Sequence, residues 1–247
     1  MKSIFFAATL LLVFSLKAQA PVAVPIPQEP HHHLVLENDY VRVFRVSVPA
    51  HESTLLHQHD VPYLYVSLGP ADVINAVQGK PEAHLVMADG QLGYSPGHFA
   101  HIARNDSNLD FNNVTIELLH PQGEPRNLCA QVAVGASVGP CQETVAKEVA
   151  GMTTLRQFET TEMIADLVRL SPNPEMSVMV PQNPSLVVAL DGGQIEIVPH
   201  GKSAKTLTSG ELIWLDESSV VTVRNLSKKL SSYLQLSFRD NPGGTKP

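Results

Sequence analysis

The chain has 247 residues, 43% of them hydrophobic and 17% charged, and a formal net charge of −7 at pH 7. That length suits one large or two small domains. The acidic balance, with no Lys/Arg-rich run to hold phosphate backbones, argues against nucleic acid as a partner.

Residues 1–20 read as an export signal. Lys2 supplies the charge, Ile4 through Leu16 form an apolar stretch too short to span a bilayer comfortably, and Ala18-Gln19-Ala20 offers a cleavage site. Pro21 is a poor residue after a cut, so cleavage near Ala23 is an alternative. Losing Lys2 and Lys17 with those 20 residues leaves 227 residues at a charge of −9. No later stretch approaches a membrane span, so the expectation is a soluble, exported (periplasmic or secreted) protein. In an oxidising compartment Cys129 and Cys141 are expected to pair, contributing roughly 3 kcal/mol if unstrained; a free thiol pair is the alternative.

Residues 21–34 carry four prolines and the run His31-His32-His33. They read as an extended leader, its histidines a solvated run, because clustered imidazoles on a flexible segment lack the fixed geometry that selects a metal. From 35 to 121 the texture is β: Tyr40–Val48, Tyr63–Leu68, Val73–Val77, His84–Met87 and Phe111–Leu119 are rich in β-branched and aromatic residues and separated by Gly, Pro, Asn and Asp. Residues 122–150, with their prolines, glycines and both cysteines, read as a connection. Strand texture resumes over 151–240, and 241–247 form a tail. The second stretch repeats the first: Pro62 through Leu68 aligns with Pro184 through Leu190, offset 122, and Gly90 and Asn105 align with Gly210 and Asn225, offset 120. Short strands at this spacing predict antiparallel sandwiches or barrels.

His57-Gln58-His59 carries the chemistry. Histidines at i and i+2 of a strand project to the same side, and converging neutral imidazoles suit a first-row transition metal. His101 supplies a third. His51, His84, His120 and His200 are read as ordinary strand or surface residues, Asn105 and Asn225 as structural turn residues, and Glu52 and Asp60 as carboxylates placed to accept from an imidazole N–H.

Together, His57-Gln58-His59-Asp60-Val61-Pro62-Tyr63 and Gly90, Pro96, His101 and Asn105 resemble the two motifs of the cupin superfamily, G(X)5HXH(X)3-4E(X)6G and G(X)5PXG(X)2H(X)3N. The departures are Glu52 at the opening glycine, His98 at the internal glycine of the second motif, and Tyr63 at the metal-binding glutamate. The second half looks like another cupin in which Met179, Pro181 and Val221 replace all three histidines. The resemblance implies an all-β protein of two tandem antiparallel barrels of the double-stranded jelly-roll type, with one divalent transition metal on His57, His59 and His101 of the first. Fe(II) is favoured, with Mn, Zn, Ni or Cu also compatible. Tyr63 is expected as a ligand or wall residue and His98 as an acid/base or extra ligand. The implied activity is a dioxygenase-like reaction on a small organic molecule, the alternative being a non-catalytic cupin that binds a small ligand or metal, as monomer or homodimer.

Overall fold

The computed structural model describes residues 22–127, 131–132, 146–149, 151–172, 177–217 and 220–239; residues 1–20, expected as an export signal, both cysteines with their expected disulfide, and the tail lie outside them. The first half contributes β1 Val24–Pro25, β2 His32–Glu37, β3 Val41–Val48, β4 His57–His59, β5 Tyr63–Ser67, β6 Ala71–Val77, β7 Ala83–Met87, β8 Leu92–Ser95, β9 Phe99–Arg104 and β10 Phe111–Leu118. The connection adds β11 Arg126–Asn127, β12 Gln131–Val132 and β13 Lys147–Val149. The second half supplies β14 Met152–Glu159, β15 Met163–Leu170, β16 Ser177–Met179, β17 Ser185–Ala189, β18 Ile195–Pro199, β19 Lys205–Leu207, β20 Leu212–Leu215, β21 Val221–Asn225 and β22 Ser231–Phe238.

Each half is a pair of sheets. In the first they run β1-β4-β9-β6-β7 and β12-β8-β5-β10-β3-β2; in the second, β11-β14-β15-β22-β17-β20 and β16-β21-β18-β19. The short pairings β1–β4 and β12–β8 are parallel and the long ladders are antiparallel. This is the expected all-β, jelly-roll architecture.

Burial follows from what covers each face. β6 alternates buried and exposed residues because only one face meets the core. β5 and β17 are buried at every position because both faces are covered. On β5, Tyr63 and Tyr65 face the interior of the first half, while Leu64 and Val66 face a cluster shared with Leu186, Val188, Leu234 and Leu236 of the second. Each large aliphatic side chain buried there contributes about 1.5–3 kcal/mol. The two halves therefore pack sheet on sheet through their outer faces.

The contacts across that interface are reciprocal. A Cβ placed on Gly90 would lie 3.5 Å from Leu190 Cδ1, and one on Gly210 would lie 2.6 Å from Leu68 Cδ1. The same two sequence positions thus meet twice with roles exchanged, as in a two-fold interface. The repeat also extends to hydrogen bonds. Asn105 Nδ2 donates to the carbonyls of Val48, Pro49 and Leu109, and Asn225 Nδ2 donates to those of Leu170, Ser171 and Lys229. These partners are offset by 122 or 120 residues, as in the sequence repeat.

The segment expected as a solvated leader is packed instead. Ile26 and Glu29 are buried, β1 pairs with β4, and β2 forms the edge of the larger sheet against β3. A single 3-10 turn at Ile26–Gln28, begun by Pro25 with a second proline inside it, carries the chain between them. The prolines serve a turn, and the apolar run Leu34-Val35-Leu36 that follows the histidines is strand.

Candidate metal centre

β4 and β9 lie antiparallel with His57 directly opposite His101. This register puts His57, His59 and His101 on the inner face, as the i, i+2 spacing requires. The turn that aligns β9 depends on Gly97, which has φ 69° and whose missing Cβ would sit 2.0 Å from the Val61 carbonyl oxygen. No other residue fits there. All three imidazoles are buried, and their ring centroids lie 4.4 Å (His57–His101), 5.1 Å (His57–His59) and 5.2 Å (His59–His101) apart.

A fourth imidazole joins them. His32, from the segment read as a leader, is buried with its ring 4.7 Å from that of His57. Among the described residues, one ring nitrogen each from His32, His57 and His59 forms a group within 4.8 Å, and His101 stands beside it. The solvated reading of His32 was therefore wrong. The neighbouring strand text His32-His33-Leu34-Val35-Leu36 and the spacing Glu29…His32 were the available signals.

Three of the four rings are held from behind at Nδ1. His32 Nδ1 donates to Glu29 Oε2 at 2.6 Å, His57 Nδ1 to the Leu55 carbonyl at 2.9 Å, and His101 Nδ1 to Asn75 Oδ1 at 2.6 Å. His59 is the exception: its Nδ1 is buried without a hydrogen bond, with Glu117 Oε1 3.7 Å away. In His32, His57 and His101 this arrangement fixes the tautomer that leaves Nε2 as a lone pair facing inward. The Nε2 atoms of His57 and His101 are buried with no partner. Such orphaned nitrogens are costly unless something fills the space between them, and a divalent ion would fit there.

Electrostatics agree. Burial, then the charge of His32, pushes His57 down to about 4, against the opposing Leu55 carbonyl and Glu29. Burial and the neighbouring imidazoles hold His59 and His101 well below the ordinary histidine value. The rings are therefore neutral ligands at physiological pH. Burial would raise Glu29, but hydrogen bonds from His32 and from the Leu55 and His31 N–H groups outweigh it and hold the carboxyl low. Burial raises Glu117 against the pull of Arg42, whose Nη2 lies 2.8 Å away; β10 and β3 pair these two residues directly.

The other expected residues divide. Tyr63 lines the pocket, stacked on His59 at 4.0 Å between centroids. Burial, though opposed by a hydrogen bond with Ser95, raises its phenol far above the ordinary value, so without an ion beside it the phenol keeps its proton. His98 lies elsewhere. It is exposed, at φ 59°, and lines a separate surface depression with Gln58 and Lys80. The alternation that turns His57 and His59 inward turns Gln58 outward, towards it. Glu52 and Asp60 are exposed, and the carboxylates behind the imidazoles are Glu29 and Glu117. Glu117 was legible as a lone acid inside the apolar strand Val114-Thr115-Ile116-Glu117-Leu118.

No family model matches the sequence, and no curated protein matches it. Solved structures do match. AerE from Microcystis aeruginosa is similar with a TM-score of 0.60 and 8% identity over 86% of this chain and 99% of that one. Salicylate 1,2-dioxygenase from Pseudaminobacter salicylatoxidans is similar with a TM-score of 0.59 and 12% identity over 83% and 75%, and a further structure of that enzyme holds gentisate. Ylba from E. coli is similar with a TM-score of 0.60 and 12% identity over 90% and 89%. At such identities the likeness is one of fold. Together with the strand order and the inward-facing histidines, it gives the conclusion that this chain has the cupin fold, with a histidine cluster that fits a divalent metal.

Proposed function

We propose that the protein is a metal-dependent, dioxygenase-like enzyme acting on a small organic molecule, with its centre in the first half. The observation that carries this reading is the set of imidazoles held from behind with Nε2 atoms unpaired in a buried pocket. His57, His59 and His101 would hold one divalent ion with His32 as a fourth donor, and Fe(II) is the first candidate because imidazoles without a carboxylate do not favour Mn. When bound, the ion supplies Lewis acidity and redox capacity. The chain's own residues do the rest. Glu29, Leu55 and Asn75 orient the imidazoles, and Val46, Val73, Leu85, Met87 and Phe111 give the pocket an apolar wall. The fold of the dioxygenase neighbour supports the reaction class by analogy. Residues 1–20 support export as part of the same reading, and N-terminal sequencing of the mature protein tests it.

A second reading, a cupin that binds metal or a small ligand without turnover, is favoured by the small pocket volume of about 60 Å³. Metal analysis of untagged protein, wild type and His101→Ala, comes first. One equivalent in the wild type and a clear loss in the variant are expected, and under a tenth of an equivalent in the wild type sinks both readings. Oxygen uptake with diketones, catechols, flavonols and thiols then separates turnover from binding.

A further inference from the structure

Tyr65 is the one phenol of the pocket that the metal site leaves unexplained. It projects from β5 to the same side as Tyr63, and its strand partner on β8 is Gly93. A Cβ on Gly93 would lie 2.2 Å from Tyr65 Cζ and 2.5 Å from its hydroxyl oxygen. The glycine therefore exists to let the ring lie flat across β8. Tyr63 reaches Ser95, but the Tyr65 hydroxyl is buried with no partner among the described residues, on the wall of the same pocket as the orphaned imidazole nitrogens. Burial pushes this phenol up to about 12, so at neutral pH it keeps its proton and donates.

Charge narrows the ligand further. The pocket lining contains no Lys, Arg, Asp or Glu. An ion held by neutral imidazoles keeps its full double charge and draws the anionic end of a ligand. A second charge at the ligand's far end, out of reach of the ion, is desolvated with nothing in the lining to pair it. The volume, about 60 Å³, is far below the roughly 300–1,000 Å³ of pockets that take drug-sized ligands.

We propose that the pocket selects a small monoanion whose charged end meets the ion and whose acceptor takes a hydrogen bond from Tyr65, making Tyr65 a binding and orienting residue. This rests on the metal reading above.

The test uses the full-length protein loaded with cobalt(II), whose visible spectrum reports both metal uptake and ligand binding. Acetohydroxamate is titrated into the wild type and Tyr65→Phe. Malonic monohydroxamate is compared with its terminal amide, which has the same chelating head and size but lacks the distal charge. The expected results are equal cobalt binding by both proteins, about tenfold weaker acetohydroxamate binding by Tyr65→Phe, and at least tenfold weaker binding of the acid than of the amide. Tyr65→Phe is also expected to melt no lower than the wild type, because the hydroxyl it removes has no partner. Unchanged acetohydroxamate binding, equal binding of acid and amide, a cobalt spectrum that no probe perturbs, or a lowered melting temperature would each overturn the proposal. Failure of the wild type to take up cobalt would instead overturn the metal reading on which it rests.

Discussion

The two halves place the same strands around different interiors. In the first, β4 and β9 bring His57 opposite His101; in the second, β16 and β21 bring Met179 opposite Val221. The second interior is closed by Val187, Ile195, Ile197, Leu207, Val221 and Tyr233, where the first keeps a pocket walled by imidazoles and phenols. The Asn105 and Asn225 networks are matched nearly atom for atom. The fold is thus maintained by turns, register and the shared core, and its interior is free to be either filled or functional. Four buried imidazoles and the carboxylates Glu29 and Glu117 are a burden that the second half does not carry.

The largest way to break this contrast is His57→Ala, which removes a ligand from the centre of the cluster. Metal content should fall from about one equivalent to near zero, measured by elemental analysis, with the second half unchanged. Acid gives the next effect. The folded His57 sits at about 4 against an ordinary value near 6.5, so below pH 6.5 the unfolded chain binds a proton that the folded apoprotein refuses. Stability is therefore lost as pH falls from 6.5 towards 4, by about 3 kcal/mol from His57 alone. Hydrogen exchange of the apoprotein should show the first half loosening over that window while the second half stays protected.

Glu29→Gln sharpens the role of the packed N-terminal segment. It keeps the shape of the side chain but weakens the hold on His32, and metal affinity measured by chelator competition should drop about 10–100-fold. Asn105→Ala and Asn225→Ala should each cost about 1–3 kcal/mol in denaturant unfolding. A large difference between them would show that the matched networks are not equivalent. The smallest expected effect is that of Val221→His on metal stoichiometry, which should remain at one equivalent because Met179 and Pro181 offer no imidazole. A second equivalent would break the alignment of the halves.

Much of this was legible in the chain. Alternation gave β6, the doubly buried runs gave β5 and β17, and His57-Gln58-His59 with His101 gave the core of the site, because period-2 placement is a local rule. What failed were inferences about long-range partners. His32 looked like part of a solvated run because prolines surround it, and only the pairing of β1 with β4 and β2 with β3 carries it to the pocket. Sequence proximity nominated Glu52 and Asp60 as the carboxylates behind the imidazoles, whereas tertiary packing supplies Glu29 and Glu117. His98 sits three residues from His101, but it falls on a left-handed turn that points it outside.

The reciprocal Gly90–Leu190 and Gly210–Leu68 contacts have a kinetic consequence. A one-barrel protein with this interface would have to find a second copy by diffusion, and its site would loosen on dilution. Joined in one chain, the half without the histidines stays beside the site at an effective concentration on the order of millimolar. The support it gives to β5, and through Tyr63 to His59, is then independent of how much protein is present.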